Sequence, residues 1–458
     1  MNKLFAGFAR VNINPMRGMG LAGYYAVRVS EGIHDDLEAT VLALRAEETT
    51  VLLVSADILW FPTPVAHRYR EAIAKATGLP KEAILLHSTH THNGPFLDAP
   101  TAGAPYPEGH DALVDEYRSF LGHRLTDAAL AAIEDLSPAR MGFAVGRAEN
   151  LAFVRRFRMK DGSVRTNPGF SNPDILAPIG TVEERATAVR FDRENKNDIL
   201  LVHFGNHPDV VGGRHFSADW PGFARRTLET ALPGTSAVFF NGAQGDVNHV
   251  NVNLTQTDYP DKVRMSFGGG KGYEHARYIG RALAGSILKV FDKVMYRDVD
   301  SIAFLEKTVA YAANKGTPEQ LTEAHRIVEL YNSGRSDELP YKDMERTAVI
   351  AEACRMVRLE NAADEFTMPM IGIRIGDIAI VGAPGEIFTD IGRGIRGAEG
   401  DRFSLVLPLC LVNASEGYFA MQDDYDAGGY ESRSSSYKSG TAEKMIEDGR
   451  AILADLGK

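Results

Sequence analysis

The chain has 458 residues, of which 44% are hydrophobic and 24% are charged, and its formal net charge is −11 at pH 7. This composition is that of a globular protein long enough to bury a large core. The negative charge argues against nucleic acid or an anionic membrane surface as the main partner, and no run of 18 apolar residues predicts a membrane span.

The cysteines and the N-terminal residues indicate in which cellular compartment the protein is found. The two cysteines, Cys354 and Cys410, lie far apart, one in a helical pattern and the other in an apolar run. Two buried free thiols suit a reducing compartment. Residues 1–10 contain no long apolar core or cleavage site, and are predicted to form a first strand rather than a signal peptide. We therefore predict a cytoplasmic protein.

The first hundred residues alternate between strand and helix patterns. Strands are predicted at about 38–46 and at 51–57, the second of which ends in the carboxylate of Asp57. An amphipathic segment runs from Pro64 to Thr77, and the apolar residues 83–86 then lead into a third strand. This alternation predicts an α/β layer with functional side chains at strand ends.

The remaining elements extend the same architecture. Helices are predicted at about 111–136, 220–231, 274–294 and 441–456, and strands at about 185–191, 198–204, 236–240, 368–374, 377–383 and 403–412. Residues 158–182 are predicted to form an ordered loop that borders a site, and the charged residues 317–360 to form a helical insertion. No repeat and no Gly/Ser linker divides the chain. The predicted fold class is α/β, with mixed β-sheets flanked by helices in a single domain spanning 1–458.

Three histidines follow the third strand. His87, His90 and His92 are succeeded at once by Asn-Gly-Pro at 93–95, a pattern typical of a strand that ends in a sharp turn. On an extended backbone His90 and His92 share one face, and His87 lies on the other. Paired imidazoles are a common beginning of a zinc site. Taken alone, however, the pair is explained equally well by solvated histidines at a strand end.

Another histidine occupies a similar place downstream. Pro208 ends the strand predicted at 198–204, which puts His207 at the mouth of that strand. His203 lies within the apolar run and is interpreted as a core histidine. Asp219 begins the next helical pattern, where its carboxylate could cap the helix or support the site, and both alternatives remain open.

Three further segments place polar residues after apolar strands. A loop with two glycines surrounds Asp246 and precedes Asn248, and it could direct side chains into a pocket or simply turn the chain. A Pro-Gly pair then delivers Glu386 at the start of a helical pattern, where an acid also favours the helix terminus. A tyrosine-rich stretch late in the chain contains Tyr418 and Tyr430. Each signal is weak by itself.

The ordered series of these motifs resembles the neutral/alkaline (non-lysosomal) ceramidase family, zinc amidases that cleave N-acyl sphingosine. The family's Thr-His-Thr-His-x-Gly-Pro motif is matched at 89–95, and the block that follows its second metal histidine is matched at 217–224. Its Gly-Asp-Val-Ser-Pro-Asn loop corresponds to 245–249, its Pro-x-Glu-Phe-Thr-Thr segment to 384–389, and its tyrosine spacing to Tyr418, Tyr425, Tyr430 and Glu431. The motifs keep their order from about residue 5 to residue 431.

Carried over to this sequence, the resemblance implies a bound Zn²⁺ ion and a set of residues around it. The implied metal ligands are His90, His207, Glu386 and Tyr418. The implied catalytic residues that contact the reacting amide are His92, Tyr430 and an arginine, which is assigned to Arg155 with Arg156 in reserve. Substrate binding is predicted for Arg156, Asp246 and Asn248. His87 is left with a structural role.

This ligand set has a definite chemistry. Two neutral imidazoles and one carboxylate leave zinc net positive, with a position for a water whose pKa it lowers toward neutrality. His92 could accept and return a proton. Tyr430 and Arg155 could stabilise the tetrahedral oxyanion, a role worth about 3–4 kcal/mol for each well-aimed donor. A phenol ligand such as Tyr418 must be at least partly deprotonated by the metal.

Departures from the family pattern change the expected substrate. Asn248 stands where the family has serine, and no C-terminal immunoglobulin-like domain is expected after Glu431. The segment 155–168 is polar and basic, unlike a groove for an acyl chain. We therefore expect a zinc-dependent hydrolase that cleaves an amide bond, N-acyl or lactam, of a small soluble substrate.

Other functions remain as alternatives. The main one is a zinc-dependent esterase or lactonase that acts on a small hydroxylated or carbohydrate-derived compound, since the same metal chemistry serves both. A further alternative is a non-catalytic binding protein. The predicted partner is a small molecule, with no nucleic acid and no stable membrane association, and homo-oligomerisation is left open.

Overall fold

The computed structural model of the chain describes residues 4–98, 106–253, 272–400 and 402–458. Their helices are α1 (Thr63–Thr77), α2 (His110–Glu134), α3 (Asp219–Ala231), α4 (Tyr273–Phe291), α5 (Pro318–Asn332), α6 (Asp343–Leu359), α7 (Thr389–Arg396), α8 (Gln422–Ala427), α9 (Tyr430–Ser434) and α10 (Thr441–Leu456). Their strands are β1 (Leu4–Asn12), β2 (Gly32–Ile33), β3 (Glu38–Ala46), β4 (Thr49–Ala56), β5 (Ile84–Ser88), β6 (Ser137–Arg147), β7 (Phe153–Val154), β8 (Arg156–Met159), β9 (Val164–Thr166), β10 (Ile175–Pro178), β11 (Arg185–Arg193), β12 (Asp198–Phe204), β13 (His215–Phe216), β14 (Thr235–Asn241), β15 (Val247–Asn248), β16 (Met295–Arg297), β17 (Ile302–Ala312), β18 (Glu365–Ile375), β19 (Ile378–Gly382), β20 (Glu386–Ile387), β21 (Leu405–Leu409) and β22 (Tyr418–Phe419).

The larger sheet has the strand order β14-β12-β11-β6-β1-β3-β4-β5, with β16 beside β6. Its two terminal pairs, β4–β5 and β12–β14, are parallel, and the other neighbours are antiparallel. The sheet curves strongly, because His87 on β5 accepts the backbone amide of Asn241 on β14 although these strands stand at opposite ends of the order. The curvature brings the carboxyl ends of β5, β12 and β14 together.

The second sheet, β17-β18-β19-β21, packs inside this curve. The shared core consists of aliphatic side chains on alternate positions, such as Leu42 and Leu44 on β3 and Ile371 and Ile373 on β18. Helices α1 to α4 cover the outer face of the larger sheet, while α7 and α10 cover the second sheet. The layers therefore run helices, sheet, sheet, helices.

The predicted fold class is confirmed, because mixed sheets are flanked by helices. The region predicted as a helical insertion forms α5 and α6, and α5 begins at Pro318 behind a capping box made by Thr317 and Gln320. The segment predicted as a loop at 158–182 instead contributes to a small sheet of order β10-β8-β9, whose polar strands lack the apolar runs used to recognise strands. Among the described residues, no helix is long and apolar enough to cross a membrane.

Two buried, uncharged histidines contact groups near the strand ends through their ring nitrogens. His87 Nδ1 lies 3.0 Å from Ser55 Oγ, and its Nε2 accepts the amide of Asn241 at 3.0 Å. His203 Nε2 lies 2.9 Å from the carbonyl oxygen of Pro408. Burial lowers the pKa of His87 to about 3 and the pKa of His203 to about 4. Both side chains have the structural positions expected from the sequence.

Acid should destabilise the fold because His87 and His203 are buried in their uncharged forms. The folded-state pKa values lie below the unfolded value of about 6.5, so the unfolded chain binds more protons and stability is lost as the pH falls below 6.5. At pH 5 we expect a loss of about 2 kcal/mol for each histidine. Urea denaturation of the protein and of His203→Gln at pH 7.5 and pH 5.0 measures this loss. If the free energy of unfolding of His203→Gln falls between pH 7.5 and pH 5.0 by as much as that of the unmodified protein, the prediction is wrong.

Candidate metal centre and active site

The turn after β5 carries His90 and His92. β5 ends at Ser88, and His90 has a φ of 72°, so the backbone is not extended at this point. The His90 amide donates to the carbonyl oxygen of Ile58 at 3.0 Å, and its Nδ1 lies 2.9 Å from that of Leu59. The expectation that an extended strand puts both imidazoles on one face is therefore wrong, since a left-handed turn brings the two rings together.

His207 enters the same place from the exit of β12. Its Nδ1 lies 3.1 Å from the carbonyl oxygen of Gln244 in the glycine loop. Asp219, the first residue of α3, accepts the amides of residues 210 and 211 at 3.0 and 2.9 Å, and that of Trp220 at 2.6 Å. The Asp219 carboxylate therefore fixes the loop that follows His207, which is the supporting role, while the N-cap residue of α3 is Ala218 and makes no side-chain capping bond.

Three imidazole nitrogens and one carboxylate oxygen converge. His90 Nε2 lies 3.1 Å from His207 Nε2 and 3.3 Å from His92 Nε2. Glu386 Oε2 lies 3.2 Å from His90 Nε2 and 3.4 Å from His207 Nε2. Because Nδ1 of His90 and of His207 faces a carbonyl oxygen, the tautomer with its proton on Nδ1 is favoured in each ring, and in that tautomer Nε2 presents a lone pair. Glu386 Oε2 is a buried acceptor that no hydrogen bond from the described residues satisfies. Such a donor set fits a cation.

The charge states of these groups also match a ligand set. Burial, with Arg155 and His90 nearby, lowers the pKa of His207 to about 3. Burial acts to raise the pKa of Glu386, but His90, His207 and Arg155 outweigh it and bring that pKa to about 2. At neutral pH the imidazole is therefore uncharged and the carboxylate ionised, the forms in which both side chains bind a divalent metal.

His92 joins this group although the sequence analysis assigned it to proton transfer. His90, His92 and His207 each offer one nitrogen within 4.8 Å of the others, an arrangement that could hold a metal ion. The His92 amide donates to the carbonyl oxygen of Pro208 at 3.0 Å, and Arg28 Nη2 donates to the His92 carbonyl oxygen at 2.6 Å. Burial lowers the pKa of His92, so its ring is also neutral. Its position suits either a ligand or a base.

The N-terminal segment packs on the His92 ring. Gly23 has a φ of 108°, and a Cβ there would lie 2.7 Å from Cγ and Nδ1 of His92, closer than real contacts allow. The Tyr24 ring meets the His92 ring edge-on, with centroids 5.2 Å apart. Neither residue was predicted from the sequence, because neither belongs to a motif and a contact across about 70 residues leaves no local pattern.

Gly23→Ala should displace His92. We expect kcat/KM to fall about tenfold or more, since a small misplacement of a catalytic group can cost that much, while the melting temperature changes by only a few degrees. Gly18→Ala is a matched control, because Gly18 also has a positive φ (92°) but a Cβ there meets nothing within 4 Å. Equal losses of activity in the two variants would show that packing on His92 is not the cause.

Tyr418 and Tyr430 border the converging atoms. β20 and β22 pair in parallel with Glu386 opposite Tyr418, which places the two side chains side by side. The Tyr418 and Tyr430 ring centroids lie 5.7 Å apart. Burial raises the pKa of both phenols well above the usual range, although Arg155, which hydrogen-bonds with Tyr418, lowers that of Tyr418. The structure brings Tyr418 beside a predicted ligand, and its own ligation stays a prediction.

Arg155 is fixed behind these tyrosines. Its Nε donates to Glu431 Oε1 at 2.7 Å and its Nη2 to the carbonyl oxygen of Gly245 at 2.5 Å. Its guanidinium carbon lies 5.2 Å from the centroid of the Tyr418 ring. Glu431 is fully buried and also accepts the Thr166 hydroxyl at 3.0 Å. The cation is therefore held in one orientation beside the candidate centre.

The residues predicted to bind substrate are engaged by other protein groups. Arg156 Nε lies 2.7 Å from Asp424 Oδ1. Asp246 Oδ1 accepts both the amide and the hydroxyl of the first residue of α7, each at 2.7 Å. Asn248 Nδ2 donates to Asn167 Oδ1 at 3.1 Å. These contacts hold the loops around the centre, and substrate binding by the three side chains stays a prediction.

Solved structures share this arrangement of layers. Neither family models nor curated protein sequences match the chain. A crystal structure of neutral ceramidase from Pseudomonas aeruginosa matches it with a TM-score of 0.73 at 17% identity, over 100% of this chain and 75% of that one. The chain has the neutral ceramidase fold. A ceramidase structure complexed with C2 matches with a TM-score of 0.72, also at 17% identity and the same coverage. This match confirms the fold that the resemblance of the motifs implied.

Proposed function

We propose that this chain is a zinc-dependent hydrolase that cleaves an amide bond, N-acyl or lactam, in a small soluble substrate. The observation that carries the proposal is the convergence of Nε2 of His90, His92 and His207 with Glu386 Oε2, three imidazole nitrogens and one carboxylate oxygen that could bind one cation together. Two solved structures of the same fold are named ceramidases, which supports an amide as the bond that is cleaved.

The polarity near Arg155 supports a small substrate. Arg158 and Lys160, which follow on β8 and just after it, are exposed, and so is Arg165 on β9. A long acyl chain needs apolar surface to replace water, and charged side chains do not supply it. These residues therefore favour a compact, water-soluble compound over a membrane lipid.

The metal would be held by His90, His207 and Glu386, with His92 or Tyr418 completing the set. Zn²⁺ at such a site supplies Lewis acidity, which lowers the pKa of water and polarises a substrate carbonyl. The neutral imidazole of His207 and the ionised carboxylate of Glu386 are already in the protonation states that zinc requires.

The neighbouring side chains would handle protons and charge. Where Tyr418 completes the metal set, His92 Nε2 is free to accept a proton from the attacking water and return it to the leaving nitrogen. Arg155, held by Glu431, can direct an N–H toward the carbonyl oxygen as it becomes negative. The raised pKa of Tyr430 keeps its phenol protonated at neutral pH, so it can donate to the same oxygen.

Substrate and metal requirements test this proposal together. A panel of matched N-acyl amides, lactams, esters and lactones is assayed before and after chelation, and again after zinc is restored. We expect turnover of amides at least tenfold above that of the matching esters after correction for their spontaneous hydrolysis, complete loss on chelation, and recovery with zinc. Turnover of esters or lactones alone would replace the amidase with an esterase, and undiminished turnover after chelation would refute the metal.

A further inference from the structure

A cleft of about 500 Å³ opens between α7 and the start of β11. Three of the side chains that line it are arginines, Arg185 on β11 and Arg393 and Arg396 on α7. Cavities that hold small molecules have volumes of roughly 300–1,000 Å³, so the cleft is large enough for such a ligand. Among the described residues that line it, none belongs to the candidate metal centre. The cleft is therefore a second place where a ligand could bind.

The lining of this cleft is positively charged in a chain whose net charge is −11. Its arginines face a single acid among the described lining residues, Glu399. A further arginine borders the cleft, because Nη2 of Arg450 lies 3.0 Å from the point where a Cβ on the lining residue Gly397 would stand. Arg450 is held there through its Nε, which donates to the carbonyl oxygen of Gly394 at 2.7 Å. Such a concentration of positive charge favours an anionic ligand.

The ion pairs around the cleft leave nitrogens free on two of its arginines. Arg185 donates through Nη2 to Glu399 Oε1 at 2.6 Å, and Arg396 pairs through Nη2 with Glu183. Nε and Nη1 of Arg185 and of Arg396 make no hydrogen bond with any described residue. Arg393 differs, since both of its terminal nitrogens donate to protein oxygens. Because the side chains of Arg185 and Arg396 are also partly exposed, they can donate to a ligand in the cleft.

Glu399 adds a hydrogen-bond acceptor to these donors. Its Oε1 accepts from Arg185, while its Oε2 is buried and has no hydrogen-bond partner among the described residues. A buried acceptor without a donor is unfavourable, so a ligand that donates to it is stabilised. A suitable ligand therefore accepts from guanidinium groups and also donates to a carboxylate. A phosphate group that keeps one hydroxyl does both, whereas sulfate has no hydroxyl at neutral pH and can only accept.

We propose that this cleft binds a phosphate group that keeps one hydroxyl, either as inorganic phosphate or as a small phosphate ester. Arg185 and Arg396 donate to the phosphate oxygens, since the planar guanidinium group matches the spacing of two such oxygens. Glu399 Oε2 accepts the remaining hydroxyl. The cleft is larger than one phosphate group, which leaves room for the organic part of an ester. No step of the proposed hydrolysis involves these residues, so the site is independent of the proposed function.

Calorimetric titration with inorganic phosphate and with sulfate, at pH 7.5 and constant ionic strength, tests the site. We expect one phosphate to bind per chain, at least tenfold more tightly than sulfate. Arg396→Gln should weaken phosphate binding about tenfold, because it removes a charged donor. Arg140→Gln is the matched control, since Arg140 on β6 also pairs with one acid, Asp192, but does not line the cleft. The control should change the affinity less than twofold.

Two further substitutions test the acceptor and the charge of the cleft. Glu399→Gln should bind phosphate and sulfate within threefold of each other, because a neutral amide can donate to either anion. Ser404 also lines the cleft, and Ser404→Asp places a negative charge there while Ser404→Asn adds a neutral group of the same shape. The aspartate variant should bind phosphate at least tenfold more weakly than the asparagine variant. Glu386→Gln, at the candidate metal centre, should keep the phosphate affinity of the unmodified protein.

The phosphate site is overturned if phosphate binding does not saturate, if it is lost in Glu386→Gln, or if the two Ser404 variants bind phosphate equally. A preference for phosphate that persists in Glu399→Gln overturns the recognition of the hydroxyl. Glycerol phosphate identifies the source, because its second pKa is about 6 and about half of its molecules keep the hydroxyl at pH 6.0. Tighter binding of glycerol phosphate than of inorganic phosphate at that pH upholds the site with an ester as its ligand. The reverse order upholds it with free phosphate.

Discussion

Glu386→Gln should abolish stoichiometric zinc binding and lower kcat/KM by about 10³-fold or more, the scale expected when a catalytic metal is lost. The substitution preserves the shape of the side chain and removes its charge. Oε2 of Glu386 lies 3.2 Å from Nε2 of His90 and 3.4 Å from Nε2 of His207, and it is the anionic member of the converging group. A neutral amide leaves two imidazoles without the carboxylate that offsets the charge of the ion.

Metal content measured by mass spectrometry and zinc affinity measured by competition with a chelator test this result independently of the substrate. Glu360→Gln is a matched control, because Glu360 lies 3.0 Å from His325 in a histidine–glutamate pair that is solvent-exposed. We expect the control to keep its zinc and its activity. Zinc bound by Glu386→Gln with unchanged stoichiometry and affinity would refute the proposed centre.

Much of the fold could be predicted because its long elements carry regular patterns. α1 was expected from Pro64 to Thr77 and spans Thr63–Thr77, and the strands on either side of residues 193–197 also lie where the apolar runs placed them. The curvature of the larger sheet could not be predicted. It is made by side chains distant in sequence, such as Asn241, whose Nδ2 donates to the carbonyl oxygens of Thr89 and Asn206 and ties three strand ends together.

The candidate site, like the fold, could be predicted from the sequence only in part. Residue types at strand ends pointed to His90, His207 and Glu386, and the structure brings these three together. The proximity of His90 and His92 was predicted correctly, but from the alternation of side chains along an extended strand. The structure instead holds His90 in a left-handed turn. The packing on His92 was missed altogether, since Gly23 and Tyr24 approach from a segment with no motif.

Arg155→Met should lower both stability and activity, for two separable reasons. Arg155 is 4% exposed and Glu431 is fully buried, and Nε of the first lies 2.7 Å from Oε1 of the second. Removing one member of a buried pair leaves an uncompensated charge and costs about 3–5 kcal/mol. The loss of an oxyanion donor should separately lower kcat by about 10²- to 10³-fold. Urea denaturation and steady-state kinetics measure the two effects.

The double substitution Arg155→Met/Glu431→Gln separates the effect of Arg155 on stability from its effect on kcat. The side-chain amide that replaces the Glu431 carboxylate can still accept the Thr166 hydroxyl, which lies 3.0 Å from Oε2 in the unmodified protein, and it leaves no buried charge. We therefore expect the double variant to regain most of the lost stability, because neutralising both partners of a buried pair is far cheaper than removing one. Its kcat should remain as low as that of Arg155→Met, since the missing donor has not been replaced. Recovery of turnover together with stability would show that Arg155 only supports the fold, and the oxyanion role would then be wrong.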